Sequence, residues 1–142
     1  MTSAITSSEI ETHSLAKEFL ESLDKKKNVV CLFGDLGSGK TAFVKGIAKA
    51  LGVDHYTVKS PTYTFVREYT YQKGTICHID LYRLEKPDDI LFAQIDEMIR
   101  KKGTLVVIEW ADRMNDHLSK SKNKTDICFE YVDKNIRKIT IF

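Results

Sequence analysis

Residues 34–41 read Gly34-Asp35-Leu36-Gly37-Ser38-Gly39-Lys40-Thr41, which fills every fixed position of the pattern G-x-x-x-x-G-K-[ST]. The residue types serve separate ends. Gly34, Gly37 and Gly39 admit backbone conformations closed to other residues. Successive amide N–H groups can then wrap an anion. A helix starting directly after the loop aims its positive end at the same point. Lys40 adds a mobile full charge, and Thr41 adds a hard hydroxyl oxygen suited to a small divalent cation. The pattern therefore predicts a phosphate cradle built from Asp35, Leu36, Gly37, Ser38, Gly39, Lys40, Thr41 and Ala42.

The flanking sequence suits a cradle better than an incidental glycine-rich turn. Residues 29–33 are an apolar run bounded by lysines and a glycine, the mark of a buried strand. A helix is expected from about Lys40 to Leu51, with Gly52 ending it. Upstream, Ser7 or Ser8 can cap a helix reaching about Asp24, with Ile10, Leu15, Phe19, Leu20 and Leu23 on its apolar side. Residues 2–6 fit a short edge strand. Downstream, residues 62–71 and 75–81 are β-prone, and Gln72-Lys73-Gly74 between them reads as a hairpin turn. Pro87 can open a helix that stops at Gly103. Residues 105–108 read as a buried strand, and residues 127–132 and 136–142 as a final hairpin. Strands alternating with helices predict one α/β domain over residues 1–142: three layers, a mixed central sheet and helices on both faces.

The chain has 142 residues, 42% hydrophobic and 30% charged, which suits one soluble globular core. No window approaches the ~20 apolar residues of a membrane span. Glu9 and Glu11 argue against a secretion signal, so a cytoplasmic protein is expected. Cys31, Cys77 and Cys128 each lie in a β-prone run without metal-ligand spacing and read as buried, reduced thiols. The four histidines lack paired ligands at metal spacing. The formal charge of +2 does not advertise nucleic-acid binding; the lysine groups at 25–27, 101–102 and 120–124 read as solvated turns.

A phosphate cradle also needs an acid at the end of a nearby strand. Residues 76–79 lead into Asp80, and residues 105–108 lead into Glu109. One acid can hold a metal ion, directly or through water, and the other can orient or deprotonate an attacking water. The residues alone leave the two roles exchangeable. Arg83 and Arg113 follow the acids; each reads as a transition-state donor or a surface ion pair. Tyr63, Phe65, Tyr69, Tyr82 and Trp110 read, by themselves, as packing aromatics.

Four stretches together resemble the TsaE (YjeE) family of bacterial ATPases: GDLGSGKT at 34–41, SPTYTFVREY at 60–69, HIDLYRL at 78–84 and VVIEWADR at 106–113. The resemblance implies a Mg-dependent ATPase that acts with the TsaB–TsaD complex in making N6-threonylcarbamoyladenosine at position 37 of tRNA. The partners would carry the transfer, and this chain would bind and hydrolyse ATP. It implies that Lys40 and Thr41 contact nucleotide and Mg²⁺, Glu109 serves the metal, and Asp80 serves hydrolysis. Thr62 would belong to a nucleotide-sensing switch, and Trp110 would lie close to the nucleotide. With a charge of only +2, tRNA recognition would belong mainly to the partners. Tyr63 and residues 87–102 depart from the family's common pattern.

Three rival readings exist. Asn123-Lys124-Thr125-Asp126 fits a guanine-reading N-K-x-D motif, but Ser119-Lys120-Ser121-Lys122 precedes it in place of a hydrophobic strand, which makes it a decoy. A small-molecule kinase would need a lid, and no long insertion offers one. A binding switch that does not depend on hydrolysis is the third.

Overall fold

The computed structural model describes residues 1–53, 66–84, 89–118 and 121–142. Seven strands form one sheet: β1 Thr2–Thr6, β2 Val29–Phe33, β3 Val66–Tyr71, β4 Gly74–Asp80, β5 Thr104–Glu109, β6 Lys124–Asp133 and β7 Ile136–Ile141. Their spatial order is β1-β7-β6-β2-β5-β4-β3. The inner four, β6-β2-β5-β4, run parallel. Antiparallel strands close both sides. The helices are α1 Glu9–Ser22, α2 Lys40–Ala50, α3 Asp89–Arg100 and the short α4 Asn115–Leu118, which follows a 3₁₀ turn at Ala111–Met114.

Period-two alternation sorts the strand side chains into two cores. Val30, Leu32, Val107, Ile127 and Phe129 pack with Ala16 and Phe19 of α1 and Phe43, Val44 and Ile47 of α2. Val29, Cys31, Ile79, Val106 and Ile108 face the other way, toward Ile95 of α3, Met114 and Leu118. The inner strands are therefore apolar on both faces, as a covered parallel sheet requires. Phe43 anchors the first layer, with ring centroids 5.7 Å from Phe19 and 5.5 Å from Phe129.

The local signals act as expected at most ends. Ser8 caps α1, its Oγ accepting from the Glu11 amide at 3.1 Å. Strand β2 has the expected bounds, and α2 ends one residue before Leu51. Two expectations fail. Ile10 is 77% exposed, and α1 buries Thr12 and Ala16 beside the expected Phe19. Two residues of helix turn about 200°, so Ile10 and Thr12 lie on opposite sides. Cys128 is half-buried, while Cys31 and Cys77 are buried. Pro87, expected to open α3, lies outside the described residues. Among the described residues, no helix is long and apolar enough to cross a membrane.

Candidate functional site

The loop between β2 and α2 lies at the C-terminal end of the parallel strands, the usual place for a ligand in such sheets. Two glycines are required there for different reasons. A Cβ on Gly34 would stand 2.7 Å from both the Phe129 carbonyl oxygen and Ser38 Oγ, so the loop can leave β2 this close to β6 only without a side chain. Gly39 caps α2 at φ +106°, a left-handed conformation, and offers no side chain to the first turn. The helix N-terminus therefore keeps its N–H groups for an external acceptor.

A cavity of about 380 Å³ opens over this loop. It is lined by Asp35, Leu36, Gly37, Ser38, Gly39, Lys40, Thr41, Ala42, Asp80, Tyr82, Arg83, Glu109 and Trp110. Thus every expected cradle residue borders one cavity, together with both expected acids. Asp80 and Glu109 are direct neighbours in the β4–β5 register. Thr62, expected in a switch, lies outside the described residues, as do Tyr63 and Phe65. Arg83 lines the cavity and Arg113 does not.

Lys40 is buried, at 5% exposure. Its Nζ donates to the Gly34 carbonyl and, at 3.2 Å, to that of Asp35. The same ammonium lies 4.1 Å from the Trp110 ring centroid, a cation–π contact. Burial pulls the Lys40 pKa below the usual lysine value, and Glu109, Asp80, Asp35 and Asp112 oppose that shift. Trp110 has φ +57°, a left-handed conformation that costs a non-glycine residue energy and is concentrated at functional sites. Tyr82 packs against it tilted by 40°, 5.0 Å between centroids, and is 41% exposed; both rings border the cavity, and Trp110 also packs against the second core.

Glu109 is 2% exposed and is held on both oxygens. Oε1 accepts from Thr41 Oγ1 at 3.1 Å, and Oε2 lies 2.5 Å from His78 Nε2. His78 is wholly buried, and its Nδ1 has no partner among the described residues. Facing a carboxylate, which only accepts, Nε2 is the ring nitrogen that donates. Asp80 Oδ1 accepts from the Tyr82 amide at 3.0 Å, which fixes its carboxylate at the strand end.

The sequence reading missed three contributors. His78 and Asp80 are two residues apart on one strand, so period two placed them on one face, but nothing local pairs His78 with Glu109. Tyr82 was read only as a packing aromatic. Arg137 of β7 donates from Nε to the Gly37 carbonyl at 3.0 Å and from Nη1 to the Asp133 carbonyl at 2.7 Å, tying the last hairpin to the loop; a lone arginine in a strand carries no such signal. The Asn123–Asp126 segment lies away from the cavity. Lys124 pairs with Val29, at the end of β2 opposite the loop.

The family model for "Threonylcarbamoyl adenosine biosynthesis protein TsaE" matches residues 6–139. The chain belongs to the TsaE family. Among curated relatives, the tRNA threonylcarbamoyladenosine biosynthesis protein TsaE of Aquifex aeolicus is 41% identical, covering 97% of this chain and 93% of that protein. TsaE of Bacillus subtilis is 37% identical, covering 79% and 68%. The crystal structure of Bacillus subtilis YdiB superposes with a TM-score of 0.75 at 28% identity, covering 99% of this chain and 83% of that one. The expected three-layer α/β fold is thus shared with a solved relative, and this TsaE-family chain belongs to tRNA threonylcarbamoyladenosine biosynthesis.

Proposed function

We propose that the chain binds Mg-ATP in the cavity over residues 34–42 and hydrolyses it slowly, in support of threonylcarbamoyl transfer by a TsaB–TsaD complex. The carrying observation is that Lys40, Thr41, Asp80 and Glu109 border one cavity although they come from α2, β4 and β5. The donor set suits Mg²⁺: a hydroxyl and one or two carboxylates are hard oxygens, and substrate phosphates and water would complete the shell. Thr41 and Glu109 would hold the ion, whose chemistry is to withdraw charge from the phosphate oxygens. The cradle amides and Lys40 bind and orient the triphosphate. Lys40 exchanges the Gly34 and Asp35 carbonyls for phosphate oxygens. Asp80, whose Oδ1 accepts from the Tyr82 amide, orients a water and takes its proton. Trp110 and Tyr82 wall the cavity against solvent. Arg83 is the arginine that lines the cavity, yet it is exposed, so slow turnover by the chain alone is expected.

A binding switch without essential hydrolysis is the second reading, favoured by the strained Trp110 resting on Lys40. One set of assays tests both. ATP hydrolysis is measured with the chain alone and with TsaB–TsaD and tRNA, using Lys40→Ala as the blank. Partner-stimulated hydrolysis lost in the blank supports the proposal. Asp80→Ala should keep Mg-ATP binding and lower kcat by about 10²–10⁴-fold. Full modification activity from an Asp80→Ala protein without hydrolysis would select the switch.

A further inference from the structure

The lysine groups that look scattered in the sequence converge in space. The inner strands begin at one end of the sheet: Val29 pairs with Lys124 on one side and Val106 on the other, and Thr75 pairs with Thr104. The turn before β2 brings Lys25, Lys26 and Lys27 to that end. The close of α3 brings Arg100, Lys101 and Lys102, and the turn before β6 brings Lys122 and Lys124. Lys73 joins them from the β3–β4 turn, which is packed so closely on the α3–β5 turn that a Cβ on Gly74 would stand 2.1 Å from the Gly103 carbonyl oxygen. Asn28 fastens the first group to the second, its Nδ2 donating to the carbonyls of Ile99 at 2.7 Å and Thr104 at 3.3 Å.

Few acids oppose these charges. Among the described residues, Glu21 pairs with Lys17, Asp126 pairs with Lys124, and Asp24 accepts from the Lys26 amide; Glu97 closes α3 nearby, and Glu68 of β3 acts on Cys77 together with Lys101. Among the described residues no ion pair engages Lys25, Lys26, Lys73, Arg100, Lys101, Lys102 or Lys122, and all seven are exposed. Asp35, Asp80, Glu109 and Asp112 stand at the opposite end, around Lys40. A five-residue β2 separates the two ends by roughly 15 Å at about 3.3 Å per residue, so the basic end does not serve the nucleotide cavity. It is also concave. A recess of about 460 Å³ is lined by Lys25, Arg100, Lys101 and Lys102, with Tyr71 on its wall.

We propose that this end contacts the sugar–phosphate backbone of RNA directly, the RNA being the tRNA on which the pathway acts. The inference rests on the family's tRNA role and is independent of ATP hydrolysis. Unpaired lysines around an aromatic wall suit phosphates and an unstacked base. A protein partner fits less well, because lysine is depleted from protein–protein interfaces.

The test is fluorescence anisotropy of a labelled tRNA transcript with the full chain, without nucleotide, between 50 and 200 mM KCl. Affinity should fall with salt as expected for about three to five phosphate contacts. The variant Lys26→Glu/Arg100→Glu/Lys102→Glu should bind at least about tenfold more weakly with a slope lower by about three. Lys134→Glu, at the other end, should bind like wild type. Mg-ATP titration of Trp110 fluorescence should be the same in all three proteins, which separates this proposal from the fate of the ATP site. Salt-insensitive binding, or a triple variant that binds tRNA like wild type, would overturn it. Binding of polyglutamate that the triple variant loses, without binding of tRNA, would overturn it too and assign the surface to an acidic protein.

Discussion

His78→Phe tests the buried link on which the acid of the site depends. His78 is wholly buried and its Nε2 lies 2.5 Å from Glu109 Oε2. Phenylalanine fills a similar volume and offers no polar atom. Glu109, 2% exposed, would keep the Thr41 hydroxyl as a hydrogen-bond donor and the nearby Lys40 charge. Removing one partner of a buried pair costs about 3–5 kcal/mol, because the other stays desolvated. In a domain of this length each kcal/mol is worth ~3–4 °C, so Tm should fall by about 10–20 °C. His78→Phe/Glu109→Leu removes the stranded carboxylate as well and should recover most of that loss. Mg-ATP should raise the Tm of the single variant more than that of wild type, since an ion held by Thr41 and Glu109 would compensate the carboxylate. The assay is thermal unfolding followed by circular dichroism, with and without Mg-ATP. A single variant melting within about 2 °C of wild type, well below the shift worked above, would refute the reasoning. So would a double variant no more stable than the single.

Gly46→Ala gains about 1 kcal/mol of helix propensity. Its Cβ, however, would lie 2.7 Å from His13 Cα and 2.8 Å from Ala16 Cβ where α1 crosses α2, and overpacking costs about 1–3 kcal/mol. The denaturation midpoint should drop, and a rise would show that the helices separate freely. Arg137→Ala removes the bond to the Gly37 carbonyl and should weaken Mg-ATP binding about five- to tenfold, the worth of roughly one hydrogen bond; titration of Trp110 fluorescence measures it, and an unchanged Kd dismisses the tie. Burial pushes the Cys31 thiol up to about 12 from the ordinary 9.0, with the Asp126 charge adding to the effect. At pH 8 its thiolate should be ~10³-fold scarcer than that of an ordinary cysteine, so iodoacetamide should label half-buried Cys128 first, as peptide mass spectrometry would show. The raised value also means that the stability tied to the neutral Cys31 thiol is intact below pH 9 and is lost as the pH climbs toward 12. Early labelling of Cys31 in the native protein would contradict its burial.

The sequence by itself determined the pieces whose causes are local. The glycines and Lys40-Thr41 specify a tight loop that runs straight into a helix N-terminus, because backbone freedom and charge act within eight residues. Apolar runs ending in Asp80 and Glu109 specify buried strands, and Ser8 specifies where α1 begins, because capping and alternation are short-range effects. The face that α1 buries was partly legible: Phe19 belonged to the expected stripe, but Ile10 looked like part of it too, and the crossing with α2 chose Thr12 and Ala16 in its place.

Tertiary structure decided what depends on strand order and register. Asp80 and Glu109 became neighbours because β4 lies beside β5, and that pairing also set His78 against Glu109. Trp110 came to rest on Lys40 because its strained backbone turns the chain at the end of β5. The lysine groups, innocuous as separate turns, met because parallel strands begin at one end of a sheet. Each of these contacts joins residues far apart in the chain. No local propensity encodes such a contact; it exists only once hydrophobic burial has fixed the order of the strands.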